Sequence, residues 1–420
     1  MDHSRRKFLG QAGLAIGASI ANGAKLSSID WHSNANSYQD ENDDDLWAWV
    51  QQSFSVDRSI IHLNNGGVCP SPDRVLALQQ QHVAASNRMP FYAYRSGIWP
   101  QLESVRESLA NEFRCSSEEI ALTRNTSEGM QIIQLGLDLR KGDEILTTEH
   151  DYPRMLATWE QRAKRDGIIV RKVPVPVPLE FPENLVDDLE DAITEATRLI
   201  MCCHMVDLTG QILPVRRICD MAHRHGVHVL VDGAQTFGQI PCTAAMLQCD
   251  YFATSLHKWY MGPQGTGMLF VRKQLVPAVW PLNPPEETSS TDIRKFEDVG
   301  TRALAQVLSL AESSSFNSVI GLERKEERLR YLRDYALEPL LQYDRVTLRT
   351  NLTNACALAT IDLEGIHPVD LRDTLWAKHR IRVRPIVKAN VTGIRISPSI
   401  YTTERELDRF VDVLESIIKT

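Results

Sequence analysis

The sequence predicts an α/β protein, with a large domain on a seven-stranded, mostly parallel sheet and a small C-terminal α+β domain. Three observations predict it. The chain has 420 residues, 43% hydrophobic and 24% charged, which is ample for two cores. From about Ser71 to Arg272, short β-branched or apolar runs alternate with helical patterns, as strands joined by crossover helices do. After about Ala303 the alternation stops, and a long helical stretch gives way to shorter strands and a final amphipathic helix.

At the N-terminus, Ser4-Arg5-Arg6-Lys7-Phe8-Leu9 precedes a mildly apolar run, Gly10–Ala21, with small residues suited to cleavage near Ala21 or Gly23. The run is too short and too rich in Gly and Ala for a comfortable membrane span. Residues 1–26 are similar to a twin-arginine signal, which exports folded proteins; the plainer alternative is a basic start with a chance arginine pair. Residues 27–45 are polar and acidic, ending in Asp43-Asp44-Asp45, and read as a solvated linker whose last aspartate caps a helix starting near Leu46. Residues 46–70 are expected to join the small domain.

The large domain is placed at 71–302. Its candidate strands are Ile120–Thr123, Glu144–Thr148, Ile168–Val173, Leu199–His204, Val227–Val231, Tyr251–Thr254 and Gly267–Val271. Its helices include Trp99–Phe113, Thr126–Leu135, Tyr152–Asp166 and Val215–His225, with Gly136 and Gly226 as stop signals. The small domain is placed at 303–420. A long helix runs towards Leu341, strands follow around Cys356–Leu363, Ile381–Arg384 and Gly393–Ser397, and a helix spans about Thr403–Ile418.

A net charge of −8 gives no basic footprint and argues against a nucleic-acid partner. Eight scattered cysteines without a C-x-x-C pair read as free, mostly buried thiols. His223, His225 and His228 straddle a helix end and a strand start, so their side chains diverge and no metal site is expected.

The chemistry concentrates in two adjacent segments. Val229-Leu230-Val231-Asp232-Gly233-Ala234-Gln235 is an apolar strand ending in an acid, at the edge where open α/β sheets bind ligands. A carboxylate there can pair with a pyridinium nitrogen, although many strand-end aspartates are caps or ion-pair partners. The next strand ends in Ser255-Leu256-His257-Lys258-Trp259, and a lysine beside a buried acid suits an imine with an aldehyde cofactor, then a base at Cα. Alone, Lys258 reads as a surface lysine. The glycine-rich Gly262–Gly267 turn follows it. Thr123-Arg124-Asn125-Thr126-Ser127-Glu128-Gly129 opens a helix and forms either an anion site or an ordinary N-cap.

These residues resemble the class V aminotransferase group of fold type I pyridoxal-5'-phosphate (PLP) enzymes, which contains cysteine desulfurases and isopenicillin-N epimerase-like proteins. The resemblance runs from about Ile61 to the C-terminus and rests on D-G-A-Q at 232–235, S-x-H-K at 255–258 and Gly300-Thr301. His257-Lys258-Trp259 and Asn64-Asn65-Gly66-Gly67 lean towards the epimerase-like branch. The resemblance implies Lys258 as the imine lysine, Asp232 on the pyridine nitrogen and Gln235 on the ring hydroxyl. It also implies Thr126, Ser127, Ser255 and His257 on the phosphate, and His150 stacked on the ring, with Tyr152 as a possible substitute. Thr301 would reach the phosphate of a neighbouring subunit in a homodimer, and Arg395 would grip the substrate carboxylate. Asp207 falls where many relatives have Asn, near the ring hydroxyl.

A desulfurase of this group carries a cysteine on the loop before the carboxylate arginine. Here that loop, Pro385–Thr392, has none, and Cys356 lies earlier in an apolar strand pattern. The expected activity is therefore epimerase-like chemistry at Cα or Cβ of a small amino-acid substrate. Lyase, desulfurase and aminotransferase chemistry stand as alternatives, and a non-catalytic fold member is a remote one. Tyr92, Tyr94 and Arg95 are candidates for the substrate side or for a structural role. A nucleotide-binding reading fails for want of a G-x-G-x-x-G or G-K-[ST] loop after the first strand.

Overall fold

The computed structural model describes residues 43–89, 91–286, 289–388 and 390–419. The signal read in residues 1–26 and most of the linker lie outside them, as do the side chains of Tyr92 and Tyr94. The chain divides into two units, Met1–Leu46 and Trp47–Thr420.

In chain order come α1 (Asp43–Gln52), β1 (Ile61–His62), α2 (Asp73–Arg88), α3 (Phe91–Phe113), β2 (Ile120–Thr123) and α4 (Thr126–Gly136). Next are β3 (Glu144–Thr148), α5 (Pro153–Asp166), β4 (Ile169–Val173), α6 (Pro182–Ala192), β5 (Thr197–Cys203), α7 (Val215–Arg224) and β6 (His228–Asp232). The short α8 (Ala244–Leu247), β7 (Tyr251–Ser255) and β8 (Gly267–Val271) follow, then α9 (Leu304–Leu308), α10 (Leu310–Ile320) and α11 (Leu322–Leu337). The chain ends with β9 (Val346–Leu348), β10 (Ala359–Leu363), α12 (Pro368–His379), β11 (Ile381–Arg382), β12 (Arg384–Lys388), β13 (Val391–Ile396) and α13 (Glu404–Ile418).

The seven predicted strands form one sheet in the order β2-β8-β7-β6-β5-β3-β4. Six run one way, and β8 runs against both its neighbours. Alternate residues feed opposite cores: Ile200, Cys202, Val229, Val231 and Phe252 face one, while Leu199, Met201, Leu230, Tyr251 and Ala253 face the other. Such runs read as continuously apolar because both faces of the sheet are covered. A second sheet, β12-β13-β10-β9, is antiparallel. Its core joins Ile361 and Ile394 to Leu407, Phe410 and Leu414 of α13, with Ile61 and Leu63 from the N-terminal side. β1 pairs in parallel with β11, in register Ile61 with Ile381.

Several expectations are corrected. The helix expected near Leu46 begins at Asp43 and absorbs Asp44 and Asp45, acids favoured in a first helical turn. The long helix towards Leu341 is three helices, broken at Ser309 and at Gly321, whose φ of 82° a side chain resists. The strand at Ile381–Arg384 is two short strands, and α2, α6 and α12 were not expected. Gly226 does end α7 with a φ of 69°. Gly136 acts differently: a Cβ there would run into the backbone of Trp280, so the glycine permits close packing rather than a left-handed turn.

Candidate active site

β6 and β7 lie side by side with Asp232 in register with Ala253, so the acid ending β6 and the loop after β7 leave the sheet at the same edge. Asp232 and Lys258 line one cavity of about 300 Å³. Asp232 is buried, and its Oδ1 accepts a hydrogen bond from Ala234 N–H at 2.9 Å. Burial lifts its carboxyl to about 6, against the opposing pull of that hydrogen bond and the Lys258 charge. Burial depresses the Lys258 ammonium, while Asp207 and Asp232 support it. A Cβ at Gly233 would enter the Phe252 ring, so only glycine lets the chain turn out of β6 here.

The opposite end of the cavity is rich in donors. Asn125 caps α4 by accepting from Glu128 N–H at 2.9 Å. Thr126 N–H donates to Ser255 Oγ at 2.9 Å, and the two hydroxyls lie 2.7 Å apart. A Cβ at Gly267 would sit 2.7 Å from the Asn125 backbone, so β8 can approach this loop only without a side chain. His257 Nδ1 donates to Thr266 O at 3.2 Å, so Nε2 accepts in the neutral ring and donates to an anion only when the ring is protonated. Ser127 lines the same end. Hydroxyls at a helix N-terminus suit a phosphate.

His150 follows β3 on a turn fixed by Asp151, whose Oδ2 accepts from Thr147 Oγ1, Thr148 N–H and Thr148 Oγ1 at 2.7–2.9 Å. His150 is 2% exposed and lines the cavity with Tyr152. Its Nε2 lies 2.7 Å from Asn390 Oδ1, and its Nδ1 is buried without a partner among the described residues.

Asp207 forms the hub of the remaining wall. Arg395 donates to its Oδ1 at 2.6 Å and Arg384 to its Oδ2 at 2.5 Å. Burial pushes this carboxyl up, but the two guanidinium charges outweigh it and hold Asp207 well below the ordinary carboxylate range. Gln235 donates to Asp207 Oδ1 at 3.1 Å and to Gly66 O at 2.8 Å, and accepts from Trp259 Nε1 at 2.9 Å. One hydrogen-bonded chain therefore links the residue after the lysine to both arginines.

Thr126, Ser127, His150, Asp207, Asp232, Gln235, Ser255, His257 and Lys258 are brought together on this cavity. Two expected residues are not among its lining. Thr301 is exposed and stands outside it. Arg395 is fully buried behind Asp207, and its other amino group donates to Asn64 Oδ1 at 2.7 Å. Two other arginines reach the cavity, Arg384 and Arg154, and so does Cys203, none of which the sequence singled out as a site residue. Arg384 stands opposite Arg395 in the antiparallel β12–β13 pair, a register that no sequence signal announced. Arg95 is exposed and stacks its guanidinium over Trp99. His223 and His225 bond Asp250 and Glu190 respectively. All eight thiols are free. Cys356 is buried away from the cavity at 3.9–4.0 Å from backbone carbonyls, and burial lifts the Cys203 thiol well above its ordinary range.

Residues 61–410 match the aminotransferase class-V family. The chain belongs to that family. Class V aminotransferases of this group are PLP-dependent enzymes, so the acid, lysine and donor cluster have a shared ligand to serve. Isopenicillin N epimerase of Amycolatopsis lactamdurans is 31% identical over 399 residues, covering 89% of this chain and 99% of that one. A probable cysteine desulfurase of Halalkalibacterium halodurans is 31% identical over 74% of this chain and 81% of its own. A solved mutant of C-DES, a cystine C–S lyase, has glycine covalently linked to its PLP cofactor. It superposes with a TM-score of 0.80 at 25% identity, over 87% of this chain and 98% of that one.

The residues present fit such a cofactor. A flat cavity wall at His150, an unpartnered buried Nδ1, a carboxylate at one end and hydroxyls with a helix N-terminus at the other match a pyridine ring carrying a phosphate.

Proposed function

We propose that this chain is a PLP-dependent enzyme that moves protons at Cα of a small amino acid, with epimerase-like chemistry as the leading reading. The observation that carries it is the placement of Lys258 and Asp232 on adjacent strand ends of one cavity that also holds the anion-binding loop. Lys258 would hold the aldehyde carbon, Asp232 the ring nitrogen, and Thr126, Ser127, Ser255 and His257 the phosphate. When bound, the cofactor supplies an electron sink for charge developing at Cα. Lys258, with its ammonium depressed by burial, takes a proton from Cα and returns it.

Arg384 and Arg395 share one carboxylate, Asp207, and so carry one net positive charge between them. That surplus suits a single substrate carboxylate arriving on the Arg384 side. Gln235 and Trp259 hold Asp207 in place while it does so.

The alternative of C–S bond cleavage is favoured by the likeness to C-DES, and it requires no thiol on the loop at 385–392. The deciding experiment offers the holoenzyme a panel of L- and D-amino acids in deuterated water, read by NMR. Exchange with inversion supports epimerisation, while pyruvate and ammonia with cysteine persulfide from cystine, or with sulfide from cysteine, support the lyase. Exchange with no member of a broad panel sinks the reading. Lys258→Ala is expected to abolish exchange and the visible absorbance of bound cofactor while leaving the fold intact.

A homodimer with shared sites and export through the twin-arginine route are part of the same proposal. The export signal is tested by cell fractionation. Replacing both Arg5 and Arg6 by Lys is expected to strand the protein in the cytoplasm, and cytoplasmic residence of the wild type would overturn it.

A further inference from the structure

We infer that Asn390 is a positioning residue that fixes the tautomer and orientation of His150 on the cavity wall, with the hydrogen on Nε2 and Nδ1 bare. The inference rests on the PLP reading above and concerns a residue outside every motif of the sequence.

Asn390 sits on the turn between β12 and β13, and its Nδ2 donates to Val175 O at 3.3 Å. A backbone carbonyl only accepts, so the amide nitrogen must face Val175 and the amide oxygen must face His150. Asn390 Oδ1 lies 2.7 Å from His150 Nε2, and an amide oxygen likewise only accepts. Nε2 therefore carries the hydrogen. In a neutral imidazole that leaves Nδ1 bare, and Nδ1 is buried with no partner among the described residues.

His150 is held neutral by its surroundings. Burial lowers its pKa, against the Asn390 hydrogen bond and the charges of Glu149 and Asp151. Lys258, Asp232, Asp207, Arg384 and Arg154 share the cavity it lines. A buried, unused acceptor costs free energy unless a ligand engages it, on the order of 1–3 kcal/mol for a typical polar atom. The Asn390 hydrogen bond offsets that cost by fixing the ring in one orientation, so that the part of His150 on the cavity wall stays in place for a ligand to stack on.

The test begins on cofactor-free protein with ¹⁵N-histidine labelling, His150 being assigned by its loss in His150→Gln. The expected result is a bare Nδ1 and a protonated Nε2 in the wild type. Asn390→Asp keeps an acceptor, so it is expected to preserve this tautomer and raise the His150 pKa by about one unit. Asn390→Leu removes it and is expected to release the Nδ1–H form. A wild-type His150 protonated on Nδ1, or an Asn390→Leu spectrum like the wild type, overturns the positioning role. In the holoenzyme, Asn390→Leu should slow Cα exchange at least tenfold and Asn390→Asp should restore most of it. Exchange in Asn390→Leu equal to the wild type overturns the link between this tautomer and the site. Absence of exchange in the wild type would instead sink the proposed function, and the apoprotein spectra would still decide whether Asn390 holds His150.

Discussion

At the scale of single residues, the site sets stability against chemistry. Asp232 is a buried carboxyl lifted from 3.8 to about 6, so the fold favours its neutral form while the cofactor needs its charge. A carboxyl raised on folding binds its proton more tightly in the native state. Its penalty is absent at acid pH, grows as pH climbs from 3.8 to about 6, and is complete above, worth roughly 3 kcal/mol at most. Asp232→Asn is therefore expected to stabilise the cofactor-free protein at pH 8 and not at pH 3.5, by thermal or urea unfolding, while it abolishes turnover. Equal stability of the two proteins at pH 8 would show the carboxylate is not strained. Asp232 and Lys258 were legible because the chemistry needs an acid and an amine just beyond successive apolar strands. Arg384 and Asn390 were not. They meet Asp207 and His150 across 177 and 240 residues, and only folding brings them there.

At the scale of elements, the β12–β13 hairpin is where the desulfurase alternative is tested. It delivers Arg384 at one end and Asn390 at its turn, with no thiol between. The remaining cysteines are poor nucleophiles, for burial lifts Cys69, Cys242 and Cys356 to about 12 and Cys202, Cys203 and Cys249 well above the ordinary range. Alkylating the native holoenzyme with iodoacetamide at neutral pH is thus expected to leave exchange unchanged, checked by mass mapping of the modified thiols. Activity lost in step with one cysteine would revive a thiol mechanism. The central strands were readable because burial on both faces makes them continuously apolar, as in Val229-Leu230-Val231. The α9–α11 region was not, since its apolar pattern runs on through Ser309 and Gly321. The backbone breaks there, and periodicity alone does not register it.

At the scale of the whole molecule, the order β2-β8-β7-β6-β5-β3-β4 lay beyond the sequence, because an alternating pattern does not say where β8 inserts or that it runs backwards. What the order achieves is to carry the ends of β3, β5, β6 and β7 to one edge, where His150, Asp207, Asp232 and Lys258 gather. Thr301 alone of the expected phosphate ligands stands away from its own cavity, exposed next to Gly300, and Leu76 and Val83 of α2 and Trp99 of α3 are exposed as well. If Thr301 completes a neighbouring subunit's site, two defective chains can repair each other. A Lys258→Ala subunit still offers an intact Thr301, and a Thr301→Ala subunit still offers an intact Lys258. Each hybrid dimer then contains one whole site, so random exchange at equal concentrations restores about a quarter of wild-type sites, since half the dimers are hybrids. The assay is Cα exchange at limiting PLP, where loss of one phosphate hydrogen bond is felt as weaker cofactor binding of about tenfold. Activity rising above the mean of the two parents after subunit exchange is the expected outcome. A mixture that never exceeds that mean, with hybrids verified by mass, would place Thr301 in the service of its own chain.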